Sequence, residues 1–422
     1  MTTHNQHFNY GSASWATFDE IKDARLFENQ GLPFGFFDNR MMRFHSDMPR
    51  TLISGSGGGK FRDCLLQQTL FNSGMSMCLL DPKAEFWSVG NYLTGYWGIK
   101  SWRFDPFLKT GHTNKINPLS FLKRGSSSLF SDISRIAGTL IPENKNSQGK
   151  FWELTAQSVI ITLLLFDVLD RGRTSFPRLH KLISMIEGDV DSWTAVLERM
   201  QTSPNEFLRT QARAMLGRQL NAERTFSIVM SEVYSNTLWL NDPSIRNALD
   251  DGETTIEEII KNKERFFIIV AGDLTVFAAP AIRALIDSFM IVKSRMPNAA
   301  PVWLGLDEIS LLKRFATLET AMSLGRGLGI IAMPVFQDLG QITTHYGQAG
   351  IQSFLGNSAL QIYFNLREYS SASQLSRQIG METLHYSDRE KQANFYYQKQ
   401  EQIRAFLDGT DPRADGYGLS PF

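Results

Sequence analysis

Two separated segments of this 422-residue chain carry the side chains that phosphate chemistry requires. In the first, an apolar run enters a glycine-rich loop that ends in Lys60. Glycines let backbone N–H groups close around phosphate oxygens, and the lysine adds a positive charge beside them. In the second, the apolar run Val302–Leu306 ends in Asp307 and Glu308. These carboxylates suit a hydrated Mg²⁺ and an attacking water, so the two segments together predict phosphoryl transfer.

The predicted phosphate loop consists of Gly55, Ser56, Gly57, Gly58, Gly59, Lys60 and Phe61. The spacing Ser54-x-x-x-x-Gly59-Lys60 nearly fits the P-loop pattern, with Ser54 in place of the first glycine. Phe61 stands where the pattern has Ser or Thr, whose hydroxyl contacts Mg²⁺, so we expect Phe61→Thr to keep or raise ATPase activity. The alternative is a flexible glycine turn with a solvated lysine.

The acidic pair allows two interpretations. In the first, Asp307 holds Mg²⁺ through water and Glu308 orients or deprotonates the hydrolytic water. In the second, Asp307 caps a helix over Ile309–Phe315, and Glu308 lies in the first turn of that helix. Such strand-then-cap sequences are common, so the pair alone does not decide between catalysis and capping.

Two other polar residues have positions that would suit a nucleotide site. Gln337 follows the apolar run Gly329–Phe336, and strand ends are where such sheets bind ligands, so Gln337 could sense a γ-phosphate. Arg326 lies between glycines and could reach the nucleotide of a neighbouring subunit as an arginine finger. The alternatives are an ordinary strand-end amide and a surface arginine on a turn.

The order of apolar patterns predicts an α/β fold. Short apolar strands alternate with helices in two stretches, and helical periodicity alone occupies the stretch between them. Strands buried on both faces and separated by helices indicate a mainly parallel sheet. We predict a lead-in segment over 1–50, a nucleotide-binding domain in two parts over 51–124 and 263–422, and an all-α insertion domain over 125–262.

Composition limits the remaining function classes. The chain has 43 Lys and Arg against 43 Asp and Glu, so its net charge of zero gives no global sign of nucleic-acid binding. The two cysteines, Cys64 and Cys78, lack metal or disulfide spacing and fit a reducing cytoplasm. The longest apolar run, Val159–Phe166, is far shorter than the ~20 residues of a membrane-spanning helix. It predicts a buried helix, and we expect no transmembrane segment.

One local segment combines basic and aromatic residues. Its candidate DNA-contacting residues are Lys100, Arg103, Lys115, Lys123 and Arg124. The interleaved rings of Trp102, Phe104 and Phe107 could stack on unpaired bases, while the cations meet phosphates. The alternative is a strand with buried aromatic residues, followed by a solvated basic loop.

Taken in order, several stretches resemble the type IV secretion coupling proteins, the conjugative DNA-transfer ATPases related to the FtsK and HerA motors. Leu80–Glu85 is similar to the family's Asp-x-Lys-Gly-Glu motif, with Ala84 in place of the glycine. Gly327–Gly347 is similar to its glutamine-rich motif. Further stretches of resemblance are Gly11–Thr17, Asn117–Leu119, Phe151–Ala156 and Phe354–Asn357.

The resemblance implies a RecA-like P-loop NTPase domain with an all-α insertion, assembled as a homohexamer that uses ATP and Mg²⁺. It implies that Lys60 grips phosphate, Asp307 and Glu308 form the acidic motif, Gln337 senses nucleotide and Arg326 is the finger from the adjacent subunit. The implied partners are DNA, with single strands favoured, a relaxase or other secreted protein, and secretion components at the inner membrane.

The implied activity is the pumping of DNA or nucleoprotein into a type IV secretion channel by a chain that is cytoplasmic and peripheral to the inner membrane. Members usually carry N-terminal membrane-spanning helices, which we do not expect in this chain. Two alternatives stay open: an ATP-binding adaptor with little hydrolysis, and a duplex DNA translocase like FtsK or HerA.

Overall fold

The computed structural model of the chain describes residues 13–72, 74–143, 149–381 and residue 400. The chain divides into two compact units, Met1–Ala24 with Ala372–Phe422, and Arg25–Ser371. In the first unit, helix α1 (Phe18–Asp23) begins with a capping box in which Thr17 and Glu20 each accept a backbone N–H of the other. All strands of the sheet described below belong to the second unit.

The second unit begins with an antiparallel hairpin of strands β1 (Leu32–Phe37) and β2 (Arg40–Phe44). Asp38 and Asn39 form its two-residue turn with φ of 47° and 60°, the left-handed pair that hairpin turns of this length favour. Strand β1 packs against the segment that follows the phosphate loop. The predicted lead-in segment over 1–50 therefore contains a hairpin that the sequence patterns did not reveal.

Seven strands form one parallel sheet in the order β5-β6-β4-β7-β8-β3-β9. They are β3 (Arg50–Ser54), β4 (Ser76–Leu80), β5 (Ser101–Phe104), β6 (Arg265–Ile268), β7 (Val302–Leu306), β8 (Ile330–Phe336) and β9 (Leu360–Phe364). Successive side chains of a strand point to opposite faces of the sheet, so each face has its own apolar core. Leu304, for example, packs in the larger apolar cluster and its neighbour Trp303 in the smaller one. The sheet confirms the prediction of parallel strands buried on both faces.

The helices of the sheet domain are α2 (Leu66–Leu70), α3 (Glu85–Trp97), α12 (Gly272–Ser294), α13 (Ala316–Leu328), α14 (Leu339–Tyr346) and α15 (Gln348–Gly356). Helix α16 (Tyr369–Ile379) begins in the second unit and ends in the first. Between β5 and β6 lie α4 (Leu129–Leu140), α5 (Lys150–Arg171), α6 (Phe176–Gly188), α7 (Val190–Gln201), α8 (Glu206–Asn221), α9 (Glu223–Thr237), α10 (Pro243–Ala248) and α11 (Ile256–Lys261). The described residues between these two strands form no strand. The all-α insertion is therefore present, and its apolar core is continuous with one face of the sheet.

Helices α5 and α12 are long and apolar enough to span a membrane by length and composition alone. In this structure, 72% of the most apolar window of α5 and 83% of that of α12 are buried inside the protein. Both helices pack against α4 and contribute to the larger apolar cluster. Their apolar character is that of core helices, and α5 contains the run Val159–Phe166 that the sequence indicated.

Candidate nucleotide site

The predicted phosphate loop and acidic pair lie at the same edge of the sheet. Strands β3, β7 and β8 are parallel, so their carboxyl ends share one edge. The phosphate loop follows β3, Asp307 follows β7, and Gln337 follows β8, which lies between the other two. Ligands of open parallel sheets bind at this edge.

The glycines of the loop permit a backbone path that other residues would obstruct. Gly57 and Gly59 have φ of 73° and 80°, in the left-handed region that favours glycine. A Cβ atom on Gly55 would lie 2.6 Å from the carbonyl oxygen of Asn365, the residue that follows β9. Glycine at these positions therefore allows the loop to follow this path without backbone strain.

Lys60 and Asp307, which lie 247 positions apart in the chain, are in direct contact. The Nζ atom of Lys60 donates to Oδ1 of Asp307 over 2.7 Å, and their side chains are only 11% and 4% exposed. The same oxygen accepts the backbone N–H of Glu308 over 3.0 Å. The fold therefore joins the glycine-rich segment and the acidic segment in one place.

Glu308 has a left-handed backbone conformation, with φ of 50° and ψ of 41°. The helix over Ile309–Phe315 that the capping interpretation requires is absent: a 3₁₀ turn ends at Leu312, because Lys313 has a φ of 57° that no right-handed helix allows. The next helix, α13, has Phe315 at its N-cap position. Asp307 thus caps no such helix, and the side chains of the acidic pair are engaged by lysines instead.

Lys83 is a site residue that sequence reasoning missed. It was used only as part of Leu80–Glu85, the stretch similar to the family's Asp-x-Lys-Gly-Glu motif, and was given no role in the site. Its Nζ atom donates to Oε1 of Glu308 over 2.8 Å, and this hydrogen bond raises the pKa of Lys83. Asp81 fixes the loop that contains Lys83 by accepting the N–H groups of Glu85 and Trp87, each over 2.8 Å. Burial raises the pKa of Asp81 to about 6. Each carboxylate of the acidic pair is therefore held by its own lysine.

Phe61 belongs to a short π-helical segment, Phe61–Leu65, that begins directly after Lys60. Its ring packs edge-on against Phe86, with centroids 5.2 Å apart, and Phe86 is 1% exposed. The phenyl ring therefore has a packing role at the position where the P-loop pattern has a hydroxyl.

We expect Phe61→Thr to lower the free energy of unfolding by about 1–3 kcal/mol, since it removes a half-buried ring from Phe86. Urea denaturation measures this loss, and Phe61→Leu, which keeps most of the apolar contact, is the matched control. A Phe61→Thr protein as stable as the parent would show that the ring contributes nothing to packing. Loss of all ATPase activity in folded protein would contradict the expectation that threonine restores a Mg²⁺ ligand.

In the folded monomer, Arg326 lies at the opposite edge of the sheet from Lys60. It is near the end of α13, next to the start of β8, and thus at the amino edge of the sheet. Its Nε atom pairs with Oδ2 of Asp47 over 3.1 Å, and the two side chains are 68% and 59% exposed. This placement leaves Arg326 accessible to a second copy of the chain. Gln337 is exposed at the end of β8, and its backbone N–H donates to Oε1 of Gln341.

The candidate DNA-contacting residues are distributed along the β5 edge of the sheet and the loop after it. Lys100 and Lys115 are exposed, whereas the guanidinium of Arg103 lies 4.3 Å from the ring centroid of Trp87. Lys123 pairs with Glu257, and Arg124 donates to the carbonyl of Asp170. Arg103, Lys123 and Arg124 are thus engaged by other residues of the chain.

The aromatic residues of that segment are mostly structural. Phe104 is fully buried, and its proposed stacking on bases is therefore wrong. Trp102 donates through Nε1 to Glu264 over 2.6 Å, and Phe107 packs partly buried against the larger core. The alternative of a strand with buried aromatic residues describes β5 better.

Comparison with known proteins agrees with this geometry. The family model described as "Type IV secretory system Conjugative DNA transfer" matches residues 14–406. The type IV secretion system-coupling protein VirD4 of Bartonella henselae is 24% identical over 366 residues, covering 83% of this chain and 56% of the relative. The conjugal transfer protein TraG of Rhizobium radiobacter is 26% identical over 345 residues, covering 79% and 52%. The chain spans about half the length of these curated relatives.

Solved structures show the same fold. The unbound bacterial conjugative coupling protein TrwBdeltaN70 has a TM-score of 0.64 and 16% identity, covering 90% of this chain and 85% of that one. The plasmid coupling protein TrwB in complex with ADP and Mg²⁺ also has a TM-score of 0.64, covering 89% and 84%. The fold is thus a RecA-like P-loop domain with a helical insertion, as predicted. The extent of the family match establishes that the chain belongs to the type IV secretory system conjugative DNA transfer family.

Proposed function

We propose that this chain is an ATPase that couples hydrolysis of ATP to the movement of DNA or nucleoprotein into a type IV secretion channel. The observation that carries the proposal is the contact of Lys60 with Asp307, beside Glu308, at the carboxyl edge of the sheet. The similar structures support the ligand class, since the plasmid coupling protein TrwB was solved in complex with ADP and Mg²⁺ and with a non-hydrolysable ATP analogue.

The residues present fit ATP and Mg²⁺ in most respects. The N–H groups of the loop from Gly55 to Gly59 and the ammonium of Lys60 would hold phosphates, and Asp307 offers the carboxylate oxygen that Mg²⁺ prefers. Phe61 offers no hydroxyl, so the protein would supply one ligand fewer than the usual P-loop. Bound Mg²⁺ would supply charge neutralisation for the phosphates.

Individual side chains of the chain would bind the phosphates, activate the water and sense the γ-phosphate. Lys60 exchanges its partner Asp307 for phosphate oxygens when nucleotide enters, which frees Asp307 for the hydrated metal. Glu308 orients the attacking water and accepts its proton, while Lys83 holds the Glu308 carboxylate in place. Gln337, at the end of the strand between β7 and β3, senses the γ-phosphate.

The assembly and partners extend the same proposal. A homohexamer brings Arg326 of one copy to the nucleotide of the next, and its central channel gathers six copies of the basic residues near β5. Those residues are Lys100, Arg103, Lys115, Lys123 and Arg124. Relaxase or other secreted proteins are the cargo, and secretion components at the inner membrane are the docking partners. The proposed domain limits remain 1–50, 51–124, 125–262 and 263–422.

Steady-state ATPase assays with single-stranded, double-stranded or no DNA test the function. The motor requires DNA-stimulated turnover, and stronger stimulation by duplex DNA would favour an FtsK-like or HerA-like translocase. Tight ATP binding without turnover at high protein concentration would favour the alternative of an ATP-binding adaptor with little hydrolysis. The absence of a hydroxyl at Phe61 is the observation that supports this alternative.

We expect Glu308→Gln to lower kcat about 10²- to 10⁴-fold without loss of ATP binding, because the amide cannot accept the proton of the water. The glutamine keeps an oxygen for Lys83, so the local contact survives. Single-turnover hydrolysis and nucleotide titration separate the two effects, with Glu257→Gln on the exposed ion pair with Lys123 as the control. Unchanged turnover in Glu308→Gln would remove Glu308 from the mechanism.

A further inference from the structure

A cavity of about 730 Å³ lies where the inserted helices meet the helices of the sheet domain, away from the phosphate loop. Its walls come from α4, the start of α5, the middle of α12 and the start of α13. Its volume is in the range of small-molecule sites. The predicted nucleotide site uses none of its lining residues.

The cavity wall carries four cationic side chains. Its charged lining residues are Arg135, Lys150, Arg283, Arg314 and a single carboxylate, Glu143. Three of the four cations have a carboxylate partner: Arg135 pairs with Asp287, Lys150 with Glu143, and Arg314 with Glu319. Among the described residues, no carboxylate pairs with the fourth, Arg283.

Arg283 is a buried charge without a counterion in the described part of the chain. It is 7% exposed, and its Nη1 atom donates to the carbonyl of Leu312 over 3.0 Å. Its Nε atom has no hydrogen-bond partner among the same residues. Burial lowers the pKa of Arg283 to about 10, so the side chain is still a cation at neutral pH. A buried cation that only one neutral acceptor satisfies is costly unless an anion joins it.

The start of α13 provides a second feature that favours an anion. Its N-cap residue, Phe315, has no side-chain acceptor for the first N–H groups of the helix, and Ala316 and Thr317 at that end line the cavity. Free N–H groups and the helix dipole favour negative charge. Ser134 and Thr320 lie on the same wall, but their hydroxyls donate to the carbonyls of Phe130 and Ala316 and are not counted among the ligands.

We propose that this cavity binds a phosphate group, with the guanidinium of Arg283 as its central ligand. The remaining donor capacity of the guanidinium and the N–H groups at the start of α13 together suit the several oxygens of a phosphate better than the two of a single carboxylate. The phosphate comes either from a free phosphate compound or from a DNA backbone, and the site is separate from the proposed ATPase centre.

The test uses the whole 422-residue chain carrying Lys60→Met and Asp307→Asn, which removes the phosphate-binding lysine of the predicted nucleotide site together with its paired carboxylate. Thermal unfolding is followed against sodium phosphate at constant ionic strength, and binding of a single-stranded deoxythymidine oligonucleotide is titrated in parallel. Arg283→Met, which keeps the volume of the arginine stem, is expected to weaken binding of the effective probe about 10- to 100-fold. General stabilisation by phosphate affects both variants equally and cancels in the comparison.

The two probes distinguish the source of the phosphate. A phosphate-dependent rise in Tm that Arg283→Met removes supports a free phosphate compound, and an Arg283-dependent affinity for the oligonucleotide supports a DNA backbone. The site is overturned if each probe binds the Arg283→Met variant as tightly as the protein with Arg283, or if neither probe binds at all. If Arg283→Met does not fold, Thr320→Glu, which adds a competing carboxylate at the cavity wall, serves for the same comparison.

Discussion

Replacing Lys60 with methionine is expected to abolish ATP binding and turnover and to destabilise the protein by roughly 3 kcal/mol. Activity is lost because the loop no longer has a cation for the phosphates. Stability is lost because the carboxylate of Asp307, which is 4% exposed, remains buried without its partner. Fluorescent-nucleotide titration and urea denaturation measure the two effects on the same protein.

The double variant Lys60→Met/Asp307→Asn separates these effects. It removes both charges, so most of the lost stability is expected to return while ATP binding does not. Lys109→Met is the matched control, because the ammonium of Lys109 also makes a contact at this edge, with the carbonyl of Pro82 over 2.9 Å. A double variant as unstable as Lys60→Met would show that the buried ion pair is not the cause.

The second large effect is expected from Arg326→Ala, which should lower turnover about 10³- to 10⁵-fold with ATP affinity retained. The physical reason is geometric: Arg326 lies at the amino edge of the sheet, so it can act only on the nucleotide of another copy. Hydrolysis by mixed assemblies of wild-type and Arg326→Ala subunits should therefore fall below the value for independent sites.

Asp47→Ala is the matched control for the Arg326→Ala variant. It breaks the same exposed ion pair but keeps the arginine, and exposed pairs of this kind contribute at most about 1 kcal/mol. Asp47→Ala is thus expected to retain turnover. A strictly linear loss of activity with the fraction of Arg326→Ala subunits would count against a role between neighbouring copies.

The strands and the central contact could be predicted from sequence for local reasons. Runs such as Val302–Leu306 are apolar, short and followed by charged residues, which is the pattern of a buried parallel strand. Lys60 and Asp307 each follow such a run, and parallel strands must end at one edge. Residue type and position relative to a strand end were therefore enough to anticipate their proximity.

The remaining features depend on long-range order that the patterns do not contain. Lys83 reaches Glu308 only because β4 lies beside β7, and nothing in the spacing of residues sets that neighbour relation. The hairpin of β1 and β2 was missed because its proline and glycine interrupt the expected alternation of Leu32–Phe37. The helix of the capping interpretation after Glu308 is absent because Lys313 adopts a positive φ, and the surrounding fold rather than the local sequence sets that conformation.

The attachment of the helical insertion has an evolutionary consequence. The inserted block leaves the sheet after β5 and returns at β6, and these two strands are neighbours at one margin of the sheet. An inserted block that is connected to the sheet only between two adjacent strands tolerates insertions, deletions and substitutions more readily than one whose connections involve several strands. Natural selection can therefore alter the inserted helices while β3, β7 and β8, and the groups at their ends, keep their arrangement.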